Sequence, residues 1–344
     1  VLALPNTAIV VHAVGQELVQ HGKLAPALAH YREAIAGLPS SHPHIPSVMT
    51  AMGQILLAQG EAANAIQHLR AGLRGKRDAI SQSHPFTAFS LMDLGAAYVA
   101  NKQPAEALES YRKAIPILDR RLGALNPKTI SCHLAIGRLL APTGQLDAAK
   151  EHIDRVLASE MYGLGNATEI GIAYATLGQI VYHQGDLDVA IGHFQQALEE
   201  LRELPDTHPD VLSVLHDLGR AYHRQGESER ALQAFERALV GYQTSVGSEH
   251  AGTATALNAI GQVLYAQGKY EAALDRYHQA LEIRQRVLGA VHPQTITSRF
   301  NCGTAMRELG DPFGTEEMES AAEALEELLG RDHPHVKATR SWLR

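Results

Sequence analysis

Apolar residues recur along the chain at helical spacing, most plainly across residues 255–281. Leu257, Ile260, Gly261 and Leu264 stand at i, i+3, i+4 and i+7, which predicts one buried face of a helix. Gln267-Gly268 follows as a stop signal, since glycine enters the left-handed region without steric cost. Ala273, Tyr277 and Ala280 then predict the inner face of a second helix folded back on the first.

The same pattern returns through the whole chain. A glycine at the first position falls at Gly15, Gly53, Gly95, Gly137, Gly178, Gly219, Gly261 and Gly303, roughly every 42 residues. Seven residues after each comes Gly22, Gly60, Gly144, Gly185, Gly226, Gly268 or Gly310, with Lys102 in the third copy. A large slot in the second helix reads Tyr31, Leu69, Tyr111, Ile153, Phe194, Phe235 and Tyr277. A small slot four residues earlier reads Ala27, Ala65, Ala107, Ala149, Ala190, Ala231 and Ala273. A fixed period of this length predicts an all-α solenoid in which each helix pair stacks on its neighbours. A mid-helix glycine costs about 1 kcal/mol against alanine, so its recurrence predicts a close approach between the paired helices.

The predicted units run over 7–42, 43–84, 85–126, 127–165, 166–207, 208–249, 250–291 and 292–332, with 333–344 as a closing helix. Two local departures stand out. Pro116 falls inside a second helix and predicts a kink. Thr315 stands where the last unit should have alanine, which makes the second helix near 315–329 atypical. His-Pro punctuates the linkers at His42-Pro43, His84-Pro85, His208-Pro209, His292-Pro293 and His333-Pro334, with Asn126-Pro127 and His250-Ala251 as variants. Proline suits the first turn of a helix, and the residue before it is read as a moderate cap.

This register of Leu/Ile-Gly, Ala, Phe/Tyr and Ala resembles the tetratricopeptide repeat, and the long, His-Pro-punctuated period is similar to that of kinesin light chains. The resemblance implies a right-handed superhelix of antiparallel helix pairs. It also implies a groove for peptides, which in kinesin light chains include segments with tryptophan flanked by acidic residues.

Composition narrows the function. The 344 residues carry a net charge of −7, so no overall basic field invites nucleic acid. No apolar run is long enough to enter a membrane. Val1–Leu4 gives way to Pro5-Asn6 without a basic flank, unlike a signal peptide. Cys132 and Cys302 fall on predicted buried faces and read as reduced core thiols, so a cytoplasmic location is expected. No nucleophile elbow, phosphate loop or zinc motif occurs, so neither catalysis nor a cofactor or structural metal is expected.

If Leu257, Ile260 and Leu264 face the core, then Asn258, Gln262, Tyr265 and Ala266 form the groove stripe. The same stripe elsewhere gives His12, Gln16, Gln20, Thr50, Gln54 and Met92, then Arg138, Gln179, Tyr182, His183, His216, Arg220, His223 and Arg224, and finally Phe300 and Arg307. Its second half is basic and aromatic against an acidic background. This predicts a protein or peptide ligand of acidic character, and histidines 183, 216 and 223 are expected to strengthen binding as pH falls. The acidic helix from Glu316 to Glu327 reads as a solubilising cap, or as a tail for a neighbour's groove in weak head-to-tail oligomers.

Overall fold

The computed structural model describes residues 10, 13–15, 17–19, 21–39 and 42–343 (backbone alone at 79 and 80), and every described element is helical. His12, Gln16 and Gln20 lie outside the described residues. The chain forms two compact units, Val1–Glu169 and Ile170–Arg344. In the first, α1 is Leu24–Gly37, α2 Ile45–Ala58, α3 Ala62–Ile80, α4 Pro85–Ala100, α5 Pro104–Leu122, α6 Pro127–Leu140 and α7 Leu146–Glu160. α8, Ala167–Gln184, leads into the second. There α9 is Leu187–Glu200, α10 Pro209–Gln225, α11 Ser228–Val246, α12 Ala251–Ala266, α13 Tyr270–Leu288, α14 Pro293–Glu308, α15 Phe313–Leu329 and α16 Pro334–Trp342.

Successive helices pack pairwise, α2 with α3, α4 with α5, α10 with α11, α12 with α13 and α14 with α15. Within each unit the first helices of neighbouring pairs also approach one another, α2 with α4 and α10 with α12, so they form the inner layer of the stack.

The periodic glycine explains the pairing. A Cβ built on Gly219 would lie 2.6 Å from the Phe235 ring, on Gly178 2.7 Å from Phe194, and on Gly261 2.6 Å from Tyr277. In the first unit the same position meets Tyr31, Leu69, Tyr111 and Ile153 at 2.4–2.7 Å. The large slot, sixteen residues after the glycine, thus fills the volume that the glycine vacates. Each interlock is internal to one helix pair. Seven residues past the first glycine the chain turns with positive φ, including Lys102 at 57°, a conformation that disfavours a Cβ.

α5 runs through Pro116 as one helix, and one expectation needs refinement. In the last pair the register slips by one residue: Gly314 is buried, Met318 fills the large slot at 0% exposure, and Thr315 is exposed. A Cβ built on Gly303 would accordingly lie 2.8 Å from the carbonyl oxygen of Gly314. α16 closes the stack by burying Val336 against Ile296, Phe300 and Met318.

Five of the linker histidines are helix caps with defined chemistry. Nδ1 of His84, His208, His250, His292 and His333 accepts the backbone N–H two residues on, at 3.0–3.3 Å. Asn126 does the same through Oδ1 at 3.0 Å. An imidazole that accepts at Nδ1 carries its proton on Nε2, so each cap requires the neutral ring.

Between pairs, a second-helix position seven residues after the large slot faces the next first helix. It holds Leu118 and Leu201, both buried, but also Lys76 and Arg284. Lys76 donates to Ser90 Oγ at 2.8 Å. Arg284, 5% exposed, donates to Ser298 Oγ at 2.7 Å, the Gln294 carbonyl at 3.1 Å and Thr255 Oγ1 at 3.3 Å. Burial pushes its guanidinium down to about 10. Cys132 and Cys302 are buried free thiols, and burial pushes both up to about 12.

Candidate functional site

The inner wall of the second unit is built by α8, α10, α12 and α14, and it is narrower than the sequence stripe. The stripe's first member, three residues before the glycine, turns into the packing between neighbouring elements. Phe300 is 4% exposed in the core, and Asn258 is buried and accepts from Asn301 at 2.9 Å. His216 leans on Phe235 with ring centroids 5.4 Å apart, and its Nδ1 is buried without a partner. Burial, opposed by Asp217, pulls the His216 imidazole below its ordinary range. Burial also lowers His223, which is half-buried. Both shifts run against the gain of charge expected of these rings as pH falls.

The wall proper begins one residue after the glycine and continues one turn on. Gln179 donates to Asp217 Oδ2 at 2.6 Å. Asp217 Oδ1 accepts from Arg220 Nη1 at 3.4 Å, so both carboxylate oxygens are engaged. Arg220 lies over the Tyr182 ring with Cζ 5.0 Å from its centroid, and Arg224 lies over the same ring at 5.2 Å. Arg224 Nη1 also donates to the Tyr182 carbonyl at 3.1 Å. His183 is exposed beside them, edge-on to Tyr182 at 5.7 Å. Two arginines from one helix pair thus lie over the tyrosine of the preceding pair, although the chain's net negative charge resides in this unit.

Asp217 was not among the predicted site residues, yet it organises the cluster. A repeated signal marks it: Gly-Gln in one pair and Asp-Leu-Gly in the next. The first unit uses the same positions, with Gln54 donating to Asp93 at 2.9 Å.

Further along, Gln262 is exposed, and Tyr265 donates to Glu308 at 3.3 Å and meets Tyr270 and Trp342 edge-on. Burial, followed by Glu308, raises the Tyr265 hydroxyl. Arg307 donates to the Trp342 carbonyl at 3.2 Å, so the closing helix covers this end of the wall. Arg138 is exposed on α6 of the first unit. The acidic helix α15 is partly neutralised by its own chain, Glu317 by Arg299 at 3.5 Å and Glu326 by Arg331 at 3.4 Å and by Arg340.

In the first unit, His133 and His152 meet Nδ1 to Nδ1 at 2.7 Å, and burial pushes His133 down to about 4. No group of three His, Cys, Asp or Glu among the described residues is placed to hold a metal ion. No described helix is long and apolar enough to cross a membrane.

The tetratricopeptide repeat family model matches residues 44–120, 169–244, 234–277 and 252–312, more than half of the chain. The chain is 26% identical over 177 residues to protein KINESIN LIGHT CHAIN-RELATED 1 of Arabidopsis thaliana, covering 51% of this chain and 29% of that protein. It is also 26% identical over 114 residues to response regulator aspartate phosphatase E of Bacillus subtilis, covering 33% and 30% respectively. The chain therefore spans about three-tenths of the length of these curated relatives. A tetratricopeptide repeat protein from Parabacteroides merdae superposes with a TM-score of 0.60 at 16% identity, over 88% of this chain and 99% of that one. BtubC (BKLC) from P. vanneervenii gives 0.56 at 20% identity, over 68% and 93%. At these identities the likeness concerns the fold.

Proposed function

Because this chain belongs to the tetratricopeptide-repeat family, whose repeats generally mediate contacts between proteins, we propose that it is a non-catalytic scaffold binding a partner segment of acidic character along the inner wall of its second unit. The observation that carries this reading is the placement of both Arg220 and Arg224 over the Tyr182 ring. Stacking holds two guanidinium groups in place before a ligand arrives, which lowers the entropy lost on capture. His183 and Gln262 extend the polar wall to either side. An exposed charge pair contributes only about 0–1 kcal/mol, whereas micromolar affinity needs about −8 kcal/mol. Tyrosine faces and several concerted hydrogen bonds must therefore act together.

The test is an array of 15-residue peptides, acidic and neutral, probed with wild type and with Arg220→Glu/Arg224→Glu. Wild type should retain a subset of acidic peptides, and the double variant should bind them at least about tenfold more weakly, a loss near 1.4 kcal/mol or more. Undiminished binding by the variant overturns the placement.

A further inference from the structure

We infer that the acidic group this wall accepts is a phosphorylated serine or threonine side chain, held by Arg220 and Arg224 together; this rests on the binding reading proposed above. Each guanidinium is engaged inside the protein through Nη1 alone, Arg220 with Asp217 and Arg224 with the Tyr182 carbonyl. Their Nε and Nη2 donors remain for a ligand, and both residues are exposed, the Arg220 side chain at 46%.

A single carboxylate has two oxygens and is satisfied by one such fork. Two forks stacked on one ring offer more donors than it can use. A phosphate monoester presents three acceptor oxygens and about −1.5 to −2 charges, which matches the pair. Asp217 does not compete for this role, because it is only 13% exposed and Gln179 and Arg220 already take both of its oxygens. It acts as a positioning residue, tying Arg220 of one helix pair to Gln179 of the preceding pair. Arginine rather than lysine at both positions fits a ligand recognised by planar, two-point geometry.

Three degenerate peptide libraries with identical flanks, centred on phosphoserine, on serine and on glutamate, provide the probe. Fluorescence anisotropy of the strongest members is read with wild type and with Arg220→Gln/Arg224→Gln, whose folding is checked by circular dichroism. The expected result is at least tenfold tighter binding of phosphoserine peptides than of their serine and glutamate counterparts, with that preference lost in the variant. Equal binding of phosphoserine and glutamate peptides overturns the inference and leaves the acidic-segment reading intact. Binding to none of the three sinks both. A phosphoserine preference that survives in the folded variant removes Arg220 and Arg224 from the site.

Discussion

Replacing Gly219 with alanine should destabilise the protein, opposite to the usual effect of that change in a helix. Helix propensity alone favours alanine by about 1 kcal/mol. The new Cβ, however, would stand 2.6 Å from Phe235 Cε1 and 2.8 Å from Cδ1 and Cζ, where ordinary carbon contacts lie near 3.5–4.0 Å. Phe235 is 1% exposed, so its ring has little room to retreat. Overpacking of this kind costs about 1–3 kcal/mol and offsets the propensity gain, leaving a net loss of up to about 2 kcal/mol. Gly192 supplies the control, because it lies within α9 and nothing comes within 4 Å of its Cβ position. Gly192→Ala should stabilise by up to about 1 kcal/mol. Urea midpoints followed by circular dichroism would compare the two, with Phe235→Leu as the partner in a double-mutant cycle. Pairing Gly219→Ala with Phe235→Leu should recover part of the alanine penalty, because leucine vacates the contested volume. If Gly219→Ala proves as benign as Gly192→Ala, the interlock does not explain the periodic glycine.

Two further outcomes follow from buried ionisable groups. The fall of Arg284 from 12.5 to about 10 corresponds to roughly 3 kcal/mol of burial penalty on its charged form. Arg284→Leu with Ser298→Val transplants the Leu201–Val214 seam of an earlier repeat and should raise the melting temperature by the equivalent of about 1–3 kcal/mol; a less stable double variant refutes this. His133 is held neutral, its value about 4 against an ordinary 6.5. A lowered folded value means its contribution is complete above pH 6.5 and is lost as pH falls toward 4. Wild type should therefore lose about 2 kcal/mol between pH 7 and 5 that His133→Leu/His152→Ala does not, measured from urea midpoints; equal losses refute the assignment.

Much of the architecture was legible because its cause is local. The glycine and the large slot belong to one hairpin, so spacing alone reports their contact. The proposed wall was less legible, because a helical stripe gives direction around one helix and is silent about its neighbours. His216, Asn258 and Phe300 share the stripe with Arg220 and Gln262, yet adjoining elements take them into the packing. Asp217 is not marked by the stripe for the related reason that its partner Gln179 lies in another repeat. The linker histidines were visible as a pattern, but their role depends on which ring nitrogen faces the backbone, a feature no spacing encodes.

The seam between hairpins has a consequence for how such arrays can be rearranged. The glycine fit travels with any hairpin that is copied or moved, whereas the matching hydroxyl for Lys76 or Arg284 lies on the following one. A shuffled array would place an ammonium or guanidinium against Cys132 or Val214 and strand it in a dry joint. Order along the chain is thus written into a few mortise-like positions, and duplication is tolerated most readily where leucine occupies them.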